Sequence, residues 1–185
     1  MKLTLSFLFC LNILLAQDTI IIESSEYAIV LEKDSLKRLQ HVYFGSKASN
    51  LNEYKSIDKQ LRFEVKDAAD LPNHVYTPNG TWNTSEPALQ ILHSDRNPST
   101  ELEYEQHIKE NLGNGVSLTT ITLVDPIYKT EVLLFYKVYN EENVFEQWSS
   151  IKNNELQAIE LKKYASANLY FRNNDFFLTQ YHGAW

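Results

Sequence analysis

The 185-residue sequence holds a single cysteine, five glycines and five prolines. One cysteine can neither close a disulfide within the chain nor build a multi-cysteine zinc site. So little glycine and proline excludes collagen-like and low-complexity classes. Basic residues are in the minority, 17 Lys and Arg against 24 Asp and Glu. The resulting net charge of −7 argues against nucleic acid as a partner. The familiar catalytic signatures are also missing. There is no His-x-x-x-His or His-Glu-x-x-His pair among the histidines at 41, 74, 93, 107 and 182, so a metal site has no spacing support. No Gly-x-Ser-x-Gly elbow, P-loop or Gly-x-Gly-x-x-Gly occurs, and no cofactor is expected.

What is present is apolar and aromatic. Hydrophobic residues make up 43% of the chain, enough for a core, with eleven Tyr, nine Phe and three Trp. Such a composition favours strands, or surfaces that stack on sugar rings. At the N-terminus, Lys2 precedes an apolar run over residues 3–15 that ends near Ala16. A basic start and an h-region of about a dozen residues describe a secretory signal peptide. The run is short of the roughly 20 residues of a membrane span. The bland alternative is a buried N-terminal strand or helix. Removing residues 1–17 takes away Lys2 and Cys10, leaving 16 basic and 24 acidic residues and no cysteine. That suits an exported domain, periplasmic or extracellular, free of the membrane after cleavage.

From residue 18 onward the pattern alternates with period two. Leu61, Phe63 and Val65 alternate with charged residues, and Leu102, Tyr104, Gln106 and Ile108 alternate with Glu101, Glu103, Glu105 and His107. Val132, Leu134, Tyr136 and Val138 interleave with Leu133, Phe135 and Lys137, a strand expected to be covered on both faces. Further strands are expected at 19–22, 27–31, 117–124, 144–151, 159–161 and 167–171. Turn residues at 33–35, 79–80, 97–98, 113–115, 125–126, 153–154 and 173–174 separate them. The reading is all-β, an antiparallel β-sandwich filling residues 18–185. Helix is confined to a Ser35-capped turn over residues 36–39 and one short helix within 50–60. His107 and the row Glu101, Glu103, Glu105 read as strand-face residues rather than ligands or an acid/base pair.

Residues 72–98 form one long stretch without alternation. Within it, Thr77-Pro78-Asn79-Gly80-Thr81-Trp82-Asn83-Thr84-Ser85-Glu86-Pro87 sets a Trp among hydroxyl, amide and carboxylate side chains. Sugar sites need that mixture, an apolar face for C–H surface and planar polar groups for hydroxyls. The same loop also reads as an ordinary turn-rich connection whose Trp plugs the end of the sandwich.

Several motifs, taken in order, carry a family resemblance. They are Leu39-Gln40-His41-Val42-Tyr43-Phe44-Gly45, Glu86-Pro87-Ala88-Leu89-Gln90-Ile91 and His93-Ser94-Asp95 followed by Glu101-Leu102-Glu103-Tyr104. The run Val138-Tyr139-Asn140-Glu141-Glu142-Asn143-Val144-Phe145-Glu146-Gln147-Trp148, then Ile151-Lys152-Asn153, Tyr164-Ala165-Ser166-Ala167 and His182-Gly183-Ala184-Trp185 complete the set. Together they resemble the N-terminal domain of glycoside hydrolase family 36, the bacterial α-galactosidases. The resemblance implies a β-supersandwich ahead of a catalytic (β/α)8 barrel that carries both catalytic aspartates. The chain is then expected to be a fragment ending before the barrel, with no catalytic residue of its own and inactive alone. Its parent would be a homo-oligomer acting on galactose-containing oligosaccharides. In tetrameric members an Asp-aromatic-Arg-x-Pro-Ala loop of this domain reaches a neighbouring subunit's sugar site. Counting back from Pro87-Ala88 places Asn83 at that Asp and Ser85 at that Arg, so both depart from the pattern. Trp82, Asn83 and Glu86 are the substrate-binding candidates. The competing reading is a self-sufficient secreted carbohydrate-binding β-sandwich with no catalytic partner.

Overall fold

The computed structural model describes residues 19–55, 74–80, 86–169, 177 and 179. Nine strands and one short helix run along them in the order β1 (Thr19–Glu23), β2 (Tyr27–Lys33), β3 (Leu39–Ser46), α1 (Leu51–Lys55), β4 (Leu89–Leu92), β5 (Glu103–Gly113), β6 (Val116–Val124), β7 (Glu131–Tyr139), β8 (Val144–Lys152) and β9 (Glu160–Tyr164). All strand pairings between them are antiparallel. They form a β1-β2-β3 sheet, a four-stranded β5-β6-β7-β8 meander and a two-stranded β4-β9 sheet. The all-β sandwich expected from the alternation is therefore what the described residues build. The expected strand at 61–65 lies outside them, as does the later part of that at 167–171.

One core joins the sheets. Ile20 and Ile22 of β1 and Ile29 and Leu31 of β2 pack with Ile121 and Leu123 of β6 and with Val132, Leu134, Tyr136 and Val138 of β7. Alternation accounts for this directly, since side chains two apart share a face. The opposite face of β1-β2-β3 is covered as well: Ala28 and Val30 lie under Tyr54 of α1. Asn50 caps that helix, its Oδ1 accepting from Asn52 N at 2.7 Å while Glu53 reaches back to Ser49 N and Asn50 Nδ2. Tyr54 Oη then donates to Glu23 and accepts from Ala48 N, both at 2.9 Å, which pins α1 to the sheet. The outer side of β7 is only half-buried. There Phe135 stacks on its cross-strand neighbour Trp148, centroids 4.9 Å apart.

Three local expectations need correction. Ser35 does not cap a helical turn. Asp34 organises a tight turn instead, its Oδ1 accepting from Leu36 N and Arg38 N, with Lys37 in the left-handed region at φ 59°. In β5 the alternation slips between Tyr104 and Gln106, a bulge that leaves Glu105 unpaired in the register. Tyr104, His107 and Lys109 consequently share one face of the strand, with Lys109 exposed, and Ile108 lies on the other at 54% exposure. The described residues 167–169 are not a strand. Asn168 instead spends its amide on His74 O and Thr77 Oγ1, and its own carbonyl lies 3.2 Å from His41 Nε2.

Candidate functional site

The candidate loop leaves and rejoins the fold at two adjacent feet. Thr77 O accepts from Ala88 N at 2.8 Å and Leu89 N at 3.2 Å, and Asn79 N donates to Leu89 O at 2.9 Å. Pro78 and Leu89 form a parallel bridge there. Asn79 is tied a second time, its carbonyl accepting from Thr100 N and its amide donating to Pro98 O. Gly80 follows at φ 101°, and a Cβ on it would stand 2.6 Å from Ser99 Cα. Only glycine fits that approach. These bonds hold Thr77–Gly80 and Ala88–Leu89 side by side.

The returning foot is fastened to the small sheet. Ala165 N donates to Ala88 O at 2.8 Å, and Ala165 O accepts from Tyr76 Oη at 2.7 Å and Ser149 Oγ at 2.9 Å. Burial raises the Tyr76 hydroxyl's pKa, so it stays a neutral donor. Glu86 lies exposed at this foot and pairs with Lys163 of β9. An exposed pair of this kind contributes about 0–1 kcal/mol. Its carboxylate retains acceptor positions for hydroxyls.

Below the outgoing foot, a polar knot fills the space between loops. His93 is buried with its Nδ1 2.7 Å from Glu155 Oε1 and its Nε2 2.9 Å from Thr100 Oγ1. Its ring stacks on Tyr128 with centroids 3.7 Å apart and planes 11° from parallel. Burial works to raise the Glu155 carboxyl, but hydrogen bonds from His93 and Ser94 outweigh it and hold the group below the usual carboxylate range. Tyr128 Oη in turn donates to Asp95 at 2.9 Å and accepts from Asn97 Nδ2 at 2.7 Å. Every polar atom of the His93 ring is thus spent on positioning. A second pair, His41 and His74, is buried beside the Thr77 foot, where Asn168 links them. Burial lowers both imidazoles to about 4, assisted at His74 by Arg38 and opposed there by Asp34.

The Glycosyl hydrolase family 36 N-terminal domain model matches residues 37–185. The chain belongs to that family. Among solved structures it is similar to the α-galactosidase from Lactobacillus brevis, with 14% identity and TM-score 0.69 over 80% of this chain and 23% of that one. The galactosidase domain of the α-galactosidase–sucrose kinase AgaSK shares 20% identity at TM-score 0.69, covering 81% of this chain and 24% of that chain. The family 36 α-galactosidase AgaA from Geobacillus stearothermophilus, solved in complex with raffinose, shares 20% identity at TM-score 0.66, over 80% and 24%. At these identities the likeness is one of fold. The family 36 domain spans about a quarter of the length of these structures. No curated protein matches the chain.

Of the three residues singled out in sequence, Glu86 sits at the returning foot of the loop. Trp82 and Asn83 lie outside the described residues. Sequence reasoning passed over Glu155, which the fold brings to His93 from 62 positions away. The turn at Asn153-Asn154 was visible, but nothing local tied it to His93. Glu101, Glu103 and Glu105 form no carboxylate pair: Glu103 bonds Lys37 at 3.0 Å, and the bulge separates it from Glu105.

Proposed function

We propose that this chain is the N-terminal, non-catalytic domain of a longer exported α-galactosidase that hydrolyses terminal α-galactosides, and that it works in a homo-oligomer. The observation that carries the reading is the family match over residues 37–185, joined to a loop whose feet are clamped at Thr77–Gly80 and Glu86–Leu89. The loop borne on those feet contains Trp82 and Asn83, where the family resemblance puts a contact to galactose hydroxyls. Glu86 supplies a further acceptor at the base. A rigid base supports this role because a sugar contact is productive only when held in place. Residues 1–17 act as the signal peptide in this reading, and the partner is a galactose-containing oligosaccharide.

The experiment compares two proteins on an aryl α-galactoside. The product of the complete reading frame should turn over, while residues 18–185 alone should not. Turnover by the isolated domain well above background, or a complete product inactive on every α-galactoside tried, overturns the proposal.

A further inference from the structure

Beside β1 lies a cleft of about 260 Å³. It runs between two edge strands, β1 of the first sheet and β5 of the meander. Its lining mixes an apolar wall of Ile20, Ile21 and Leu51 with Thr19, Glu23, His107, Lys109 and Thr119. The volume falls just under that of pockets for drug-sized ligands, so the cleft suits a smaller molecule.

Three features of this lining ask for a ligand. Thr119 is 1% exposed, yet its Oγ1 has no hydrogen-bond partner. A buried hydroxyl without a partner is costly, and native structures rarely leave one without a reason. Lys109 is the sole Lys or Arg among the lining residues and makes no ion pair among the described residues. It is the cross-strand neighbour of Thr119, so both side chains stand on the same face. His107 completes the group. Its Nδ1 is held by Tyr104 Oη at 2.8 Å, which leaves Nε2 as the ring's other polar atom. Burial and Lys109 both lower its pKa, which keeps the ring neutral. The Glu23 carboxylate is already engaged by Tyr54 Oη at 2.9 Å and Lys47 at 3.5 Å. The groups left over are the Thr19 and Thr119 hydroxyls and the His107 ring beside one cation.

We propose that the cleft between β1 and β5 binds a small hydroxylated carboxylate, such as a sugar acid, with its carboxylate against Lys109 and its hydroxyls on Thr119 and Thr19. The apolar wall then takes the carbon skeleton. The binding site is separate from the galactoside reading and stands without it. An exposed lysine on an edge strand also guards against strand-to-strand association. That role makes no demand on Thr119 and gives no ligand selectivity.

Calorimetric titration of the full chain with galacturonate, galactose and acetate tests the proposal. Galacturonate should bind with Kd on the order of 1 mM, at least about tenfold tighter than the uncharged sugar or the hydroxyl-free anion. Lys109→Gln should weaken it by about tenfold or more. Thr119→Val should weaken it too while leaving the melting temperature unchanged or higher, because it removes an unpaired buried hydroxyl. That second variant keeps the test decisive if Lys109→Gln disturbs the fold. Galacturonate binding no tighter than galactose or acetate overturns the proposal, as does unchanged affinity in the Thr119→Val variant. Self-association of Lys109→Gln with no galacturonate binding by the parent chain assigns Lys109 to edge protection and overturns it as well.

Discussion

The two buried histidines beside the loop foot make the stability of the fold acid-sensitive over a defined window. His41 and His74 are 7% and 6% exposed, and burial lowers both to about 4 from an unfolded value of 6.5. Above pH 6.5 both states are neutral and the contribution is constant. Between 6.5 and 4 the unfolded chain takes up protons that the folded chain refuses, so stability falls as pH falls. Below 4 both states carry the proton and the loss is complete. By linkage the shift is worth about 3 kcal/mol per histidine in full, and about 2–3 kcal/mol of that is gone by about pH 4.5. His74 is the cleaner target, since its Nε2 has no partner to lose. Urea unfolding of the full chain, followed by tryptophan fluorescence from about pH 7.5 down to 4.5, gives the curve. His74→Gln should flatten that curve by about 2–3 kcal/mol relative to the parent. The comparison cancels the carboxylates, which titrate alike in both proteins. Parallel curves for parent and variant would refute the reasoning, because His74 would then titrate alike in both states.

Glu155→Ala should cost about 1–3 kcal/mol by leaving buried His93 Nδ1 without its partner, read as a fall in melting temperature; an unchanged melt contradicts the buried hydrogen-bond account. Gly80→Ala should destabilise by about 1–3 kcal/mol, since it combines a positive φ with a close approach to Ser99; an unchanged melt sinks that geometry. If the loop contacts sugar as proposed, Trp82→Ala in the product of the complete reading frame should lower kcat/KM on an aryl α-galactoside by about tenfold to hundredfold while the fold survives. A melting loss with unchanged kinetics would make Trp82 a packing residue alone.

Strand existence was legible wherever pairing is local and one face is apolar. β7 buries every second residue, β6 is a run of β-formers, and their partners adjoin them in sequence, so local composition and turn residues sufficed. The first half of β5 misled for a physical reason: a bulge inserts one residue without altering composition, and every side chain beyond it changes face. Asp34 outcompeted Ser35 because a carboxylate accepts two backbone donors and Arg38 at once. The loop feet were half visible. Asn79-Gly80 read as a turn, whereas the clamp on Leu89 and the anchor on Ala165 are long-range and leave no local trace. Glu155 was invisible as a partner of His93 for the same reason.

The pairing of β4 with β9 carries a consequence for how the domain is born. Both larger sheets are made of strands that neighbour each other in sequence, so each can close as it leaves the ribosome. β4 must wait, because its partner follows only after the whole β5–β8 meander has been synthesised. Ala165, which anchors both Tyr76 and Ala88, arrives later still. The bonds that fasten Tyr76 and Ala88 to Ala165 therefore form last, on a platform already assembled.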